Sequence, residues 1–120
     1  MNERDARDLL ARTKAFALRI VRLYSSLPKT TEAQVLGKQA LRSGTSVGAH
    51  YREATRARSR AAFVSKFEVL LQELSETVYW LELLIDAGIV SHARLTELLC
   101  GGEELTAIFV ASAKTAKSAE

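Results

Sequence analysis

The chain does without most of the features that would make its chemistry easy to name. It has 120 residues but only one cysteine, Cys100, so no intramolecular disulfide can form. That usage fits a reducing compartment. A single proline and six glycines leave little turn-forming material for an all-β fold. No apolar run approaches the roughly 18 residues that a bilayer span needs. The opening segment, MNERDARD, is densely charged and lacks the apolar core of a signal peptide. These absences predict a cytoplasmic protein with no membrane partner. Charge is nearly balanced, with 17 basic against 14 acidic side chains, and a net +3 by itself calls for no polyanion.

Catalytic signatures are missing as well. There is no phosphate loop, dinucleotide fingerprint, nucleophile elbow or Cys–His arrangement. A di-iron bundle needs inward Glu-x-x-His pairs, and none occurs. Glu68, Glu73, Glu76 and Glu82 are spread around their helix rather than converging, and Cys100 sits in an apolar stretch as a packing residue. The expectation is a protein that is not an enzyme and has no cofactor and no metal.

What the chain does have is helical periodicity. Leu9, Thr13, Phe16, Ile20, Leu23 and Leu27 alternate steps of four and three, so residues 5–26 form an amphipathic helix that ends before Pro28. A second helix, 31–57, starts with Thr31 as cap and Gln34 reaching back in a capping box. Its inward positions are mostly small: Ala33, Leu36, Ala40, Gly44, Val47, Tyr51 and Ala54. Gly44 and Gly48 lie on one face and let another helix backbone approach, or else mark a break. Ser59 caps a third helix, 59–87, roughly 45 Å long. Phe63, Phe67, Leu70, Leu74, Thr77, Leu81 and Leu84 form its main seam, with Val64, Leu71, Val78 and Ile85 beside it. Gly88 closes that helix, and Ser91 caps a fourth, 91–113, before AKTAKSAE frays. Short connections favour a single domain over residues 1–120, an all-α, antiparallel up-and-down four-helix bundle.

Two surfaces stand out. The apolar arc of the third helix spans about 160°, and Val69, Trp80 and Leu83 fall outside even that. Leftover apolar surface predicts self-association, with Gly44, Gly48, Val69, Trp80 and Leu83 at the oligomer interface. The second surface is charged. Between residues 38 and 66 the chain carries Lys38, Arg42, Arg52, Arg56, Arg58, Arg60 and Lys66 against one acid, Glu53. Guanidinium groups match phosphate oxygens, so this junction is a candidate nucleic-acid contact; equally, arginines there can satisfy helix ends and pair with glutamates. Only Tyr51 interleaves it, so backbone contact rather than base readout is expected. His50 and Glu53, three apart, read as a structural polar pair, and His92 as a surface residue.

The stretches SGTSVGAHYREATRARS, residues 43–59, and ETVYWLELL, residues 76–84, resemble the bacterial four helix bundle protein family. That family is related to the S23 proteins encoded in intervening sequences of 23S rRNA genes. Glu53, Arg58, Ser59 and Phe63 fit its pattern, while His50 stands where the family carries Asn. The resemblance implies a ring-shaped homopentamer associated with RNA. More distant relatives, the accessory proteins of diversity-generating retroelements, work with a reverse transcriptase and its RNA. The rival expectation is a scaffold or adaptor ring that binds another protein and has no nucleic-acid role.

Overall fold

The computed structural model describes residues 2–118. Four α-helices follow one another: α1 (Glu3–Ser26), α2 (Thr31–Thr55), α3 (Arg60–Asp86) and α4 (His92–Ser118), with no strand among the described residues. They form a rod 49 Å long and about two helices across, at 22 × 19 Å. Cross-helix partners fix the directions. Tyr51 on α2 donates to the carbonyl of Ala6 on α1, while Gly37 lies against Tyr24 and Leu27 at the other end. Glu53 meets Lys66, and Ser43 meets Thr77. Glu68 pairs with Lys117, and Val78 abuts Gly102. Arg12 pairs with Glu104, and Arg19 with Glu97. Each neighbouring pair is therefore antiparallel, and the all-α up-and-down bundle expected from periodicity is the fold.

The buried set follows the seams read from the sequence. Leu9, Thr13, Phe16, Ile20 and Leu23 from α1 meet Ala33, Ala40, Val47 and Ala54 from α2. Phe67, Leu70, Leu74, Thr77, Leu81 and Leu84 supply the centre from α3. The second row of α3 is only partly buried, Val78 lying over Gly102 of α4. Gly44 lets Ile20 of α1 pack directly on α2: a Cβ there would stand 2.9 Å from Ile20 Cγ1. Gly48 faces Thr13 in the same way. The helix is unbroken at both positions. Both glycines thus pack against α1 of the same chain, Gly44 buried there and Gly48 half-buried.

Punctuation differs in detail. The cap of α2 is Thr30, whose Oγ1 accepts from the Ala33 amide, rather than Thr31. Gln34 closes no capping box; its amide nitrogen donates to the Pro28 carbonyl, and its oxygen accepts from Tyr24. That clamp ties the first turn of α2 to the last turn of α1. Ser59 and Ser91 cap as expected. Gly88, at φ +73°, ends α3: its amide donates to Ile85 and the next amide, Ile89, to Leu84. This paired closure needs the left-handed conformation that glycine adopts cheaply. Helix α4 runs to Ser118 instead of ending at 113, held by buried Ala113 and the Lys117–Glu68 pair. Of the expected frayed tail, Ala119 and Glu120 lie outside the described residues.

Candidate nucleic-acid interface

The junction between α2 and α3 is a short turn on a rigid base. Arg56 leaves helical geometry, its amide still donating to Glu53, and the Ala57 amide donates to Ala54. Ser59 is extended, and its Oγ accepts from the Ala62 amide. Ala57 is half-buried, so Arg56, Arg58 and Arg60 are left on the outside. Beneath them Tyr51, Phe63, Phe67 and Phe109 form one aromatic cluster. The Phe63 and Phe67 rings stack at 4.3 Å, and Phe109 meets Phe67 edge-on at 5.3 Å. Tyr51 bridges Phe67 and Phe109 at 6.1 and 5.5 Å. Offset and edge-on aromatic packing of this kind adds to plain burial. The turn is anchored, and its arginines are presented by a fixed backbone.

The seven basic residues divide into two groups. Arg42 makes two contacts of 3.2 Å, one to Glu73 and one to Glu76, straddling α3. Lys66 donates to Glu53 at 2.5 Å. These two cations knit α2 to α3. Lys38, Arg52, Arg56, Arg58 and Arg60 are all exposed and meet no carboxylate within ion-pair distance among the described residues. Arg52 also sits in the last turn of α2, where the helix dipole favours a cation. Lys38 is some 27 Å along the helix from Arg56 by the rise per residue, so it stands apart from the cluster. What remains is a compact group of four: Arg52, Arg56, Arg58 and Arg60. On one side it is bordered by Glu3, Asp5 and Asp8, which share with Arg60 an open cleft of about 1230 Å³ between α1 and α4.

His50 and Glu53 do not form the expected clasp. His50 Nδ1 is 4.0 Å from Glu53 Oε1, too far for a hydrogen bond. The Glu53 carboxyl is held below its usual range first by the hydrogen bond from Lys66, then by that ammonium's charge and, last, by His50. His50 Nδ1 is left buried without a hydrogen-bond partner, as is Trp80 Nε1. Such orphaned groups are uncommon in finished interiors.

Of the apolar residues predicted to meet other copies, Val69 is exposed on α3, while Trp80 and Leu83 are half-buried there. Trp80 packs edge-on against Tyr79 at 5.1 Å. Periodicity did not single out Tyr79 or Val35 on α2, although at 53% and 55% exposure they are the most exposed large apolar side chains. Each falls outside its helix's seam, and an off-seam apolar residue was the available signal. Cys100 is exposed on α4 rather than packed.

Comparison with known proteins decides the family. The profile described as "23S rRNA-intervening sequence protein" matches residues 7–111. The chain belongs to this family. A crystal structure of a protein of unknown function from the S23 ribosomal protein family of Bacteroides thetaiotaomicron is 38% identical to it. That match covers 91% of this chain and 97% of the other, with a TM-score of 0.85. No curated protein matches. The family description and that relative name no reaction. Among the described residues no three His, Cys, Asp or Glu side chains gather as around a metal, and no helix is long and apolar enough to cross a membrane. The two segments that resemble the family, residues 43–59 and 76–84, map to α2 with the basic turn and to the part of α3 that carries Tyr79, Trp80 and Leu83.

Proposed function

We propose that this chain is a non-enzymatic, homo-oligomeric helical bundle that contacts the backbone of RNA or DNA through the α2–α3 turn. One observation carries the reading: Arg52, Arg56, Arg58 and Arg60 crowd a rigid turn without carboxylate partners, while the neighbouring Arg42 and Lys66 are consumed by glutamates. Unpaired guanidiniums on a preorganised backbone suit phosphate oxygens, which they engage through two parallel donors. Tyr51, Phe67 and Phe109 are buried in the bundle and only Phe63 reaches the cleft beside Arg60, so no row of aromatic rings accompanies the arginines and contact is to the backbone.

Self-association through the outer faces of α2 and α3 would cover three apolar side chains left exposed in the single chain. These are Val35 on α2 and Val69 and Tyr79 on α3. A pentameric ring would repeat the basic turn around one rim, and several weak phosphate contacts would then act together by avidity. A cytoplasmic setting agrees with the single exposed cysteine.

Replacing Arg56, Arg58 and Arg60 together by Glu tests the reading. RNA binding that weakens with salt is expected to disappear, while far-UV circular dichroism and the sedimentation coefficient stay unchanged. If binding persists, the turn is not the contact. If the variant unfolds or dissociates, the arginines hold the bundle together, and an adaptor ring for a protein partner, such as a reverse transcriptase, becomes the better account.

A further inference from the structure

At the opposite end of the rod, the seam between α1 and α4 contains a rung of the wrong sign. Descending that seam, Arg12 meets Glu104 at 2.9 Å and Arg19 meets Glu97 at 3.4 Å, each an arginine of α1 against a glutamate of α4. The next rung, seven residues on along α1 and three back along α4, brings Ser26 against Arg94, whose guanidinium donates to the Ser26 hydroxyl, a neutral acceptor. Arg22 stands beside it and meets no carboxylate among the described residues. Arg19, Arg22 and Arg94 line a recess of about 240 Å³ floored by Leu23, Leu95 and Leu98. Among the described residues the one carboxylate paired with these arginines, Glu97, is 86% exposed and holds Arg19 by a single long contact.

We infer that this recess is an anion site whose ligand is a phosphate group, gripped by Arg22 and Arg94 with Arg19 adding a third charge. Three exposed guanidiniums against one loose carboxylate leave positive charge over an apolar leucine floor. Arg94 lies in the first turn of α4, whose amide dipoles add to the same field. The Ser26 hydroxyl is itself spent, donating to the Leu23 carbonyl while it accepts from Arg94, so the arginines alone would hold the ligand. Guanidiniums arriving from two helices present parallel donors that suit the oxygens of a phosphate. A recess of this size takes a phosphate group but not a helix or strand of a partner. The site does not depend on the α2–α3 turn, which lies at the other end of the rod.

The test uses the full chain with pyrophosphate as probe, followed by the arginine Nε–Hε signals in NMR and by calorimetry. Pyrophosphate is expected to shift Arg22 and Arg94, and Arg22→Ala/Arg94→Ala to weaken binding by about tenfold or more, equivalent to about 1.4 kcal/mol. Arg22→Lys/Arg94→Lys keeps the charge and loses the fork, so it should fall between wild type and the alanine pair while preserving the fold. Reversal of Arg56, Arg58 and Arg60 to Glu should leave pyrophosphate binding intact. Short RNAs with and without a terminal phosphate then identify the source: competition by the phosphorylated RNA alone assigns the site to a nucleic-acid end, and competition by neither assigns it to a small phosphorylated molecule. Absence of shifts at Arg22 and Arg94, or wild-type affinity in both double variants, would overturn the inference.

Discussion

Gly44 on α2 and Gly101 on α4 make opposite predictions for the same substitution. At Gly44 an added Cβ would stand 2.9 Å from Ile20 Cγ1 and 3.2 Å from its Cγ2. Ile20 is fully buried and β-branched, so it has few rotamers into which to retreat, and α1 itself must move. Overpacking of this kind costs about 1–3 kcal/mol. Against it stands the helix-propensity gain of Gly→Ala, about 1 kcal/mol. Gly44→Ala should therefore lose about 0–2 kcal/mol on balance. Gly101, in the interior of α4, has nothing within 4 Å of its own added Cβ. There the propensity gain is unopposed, and Gly101→Ala should stabilise by about 1 kcal/mol. The two variants should then differ by about 1–3 kcal/mol in urea unfolding, with equal slopes of free energy against urea. Equal shifts of the two midpoints would mean that α1 is not seated on Gly44, and the reasoning about the α1–α2 seam would fail.

Three further outcomes follow from other parts of the molecule. Burial, and secondarily the charge of Asp5, raise the Tyr51 phenol above its ordinary value. The folded state then holds that proton more tightly than the unfolded chain, so stability should fall as pH rises past about 10, and Tyr51→Phe should flatten this alkaline limb. Glu53 has the opposite sign: its lowered value gives stability that is present above the unfolded carboxyl range and lost as pH falls through the folded value, a small effect because the pair with Lys66 is half exposed. On the outer face of α3, Val69→Asp and Tyr79→Asp each place a charge on an exposed apolar side chain. Both should leave the helix content unchanged and shift sedimentation toward smaller species; unchanged sedimentation in both would remove that face from the assembly.

Helix positions and buried faces were legible because they depend on spacing within one segment. Phe67, Leu70, Leu74, Thr77, Leu81 and Leu84 repeat at the period of a helix, and burial follows that period. What spacing cannot supply is the identity of the partner across a seam. Gly44 and Gly48 announced a close approach, but whether it came from α1 of the same chain or from another copy depends on how the helices are arranged around the axis. The charge count marked seven basic residues without separating Arg42, which finds Glu73 and Glu76 more than thirty positions away, from Arg56, which finds none. His50 and Glu53 share a face, yet Lys66 arrives from α3 and takes the carboxylate. Thr30 and Thr31 are the same residue type, so only backbone geometry selects the cap. Arg94 lies next to Ser26 though 68 residues separate them, and nothing local to either signals the rung they form.

The most direct trial of the proposed nucleic-acid contact is the slope of log affinity for single-stranded RNA against log salt concentration. Four guanidiniums neutralising four phosphates predict a slope of about −2.8 for each protomer that engages the strand, and steeper where several protomers do. With Arg56, Arg58 and Arg60 reversed to Glu, the slope should become shallower than about −1 as affinity collapses. A slope near zero in the unaltered protein, or one that the reversal leaves unchanged, would contradict the account.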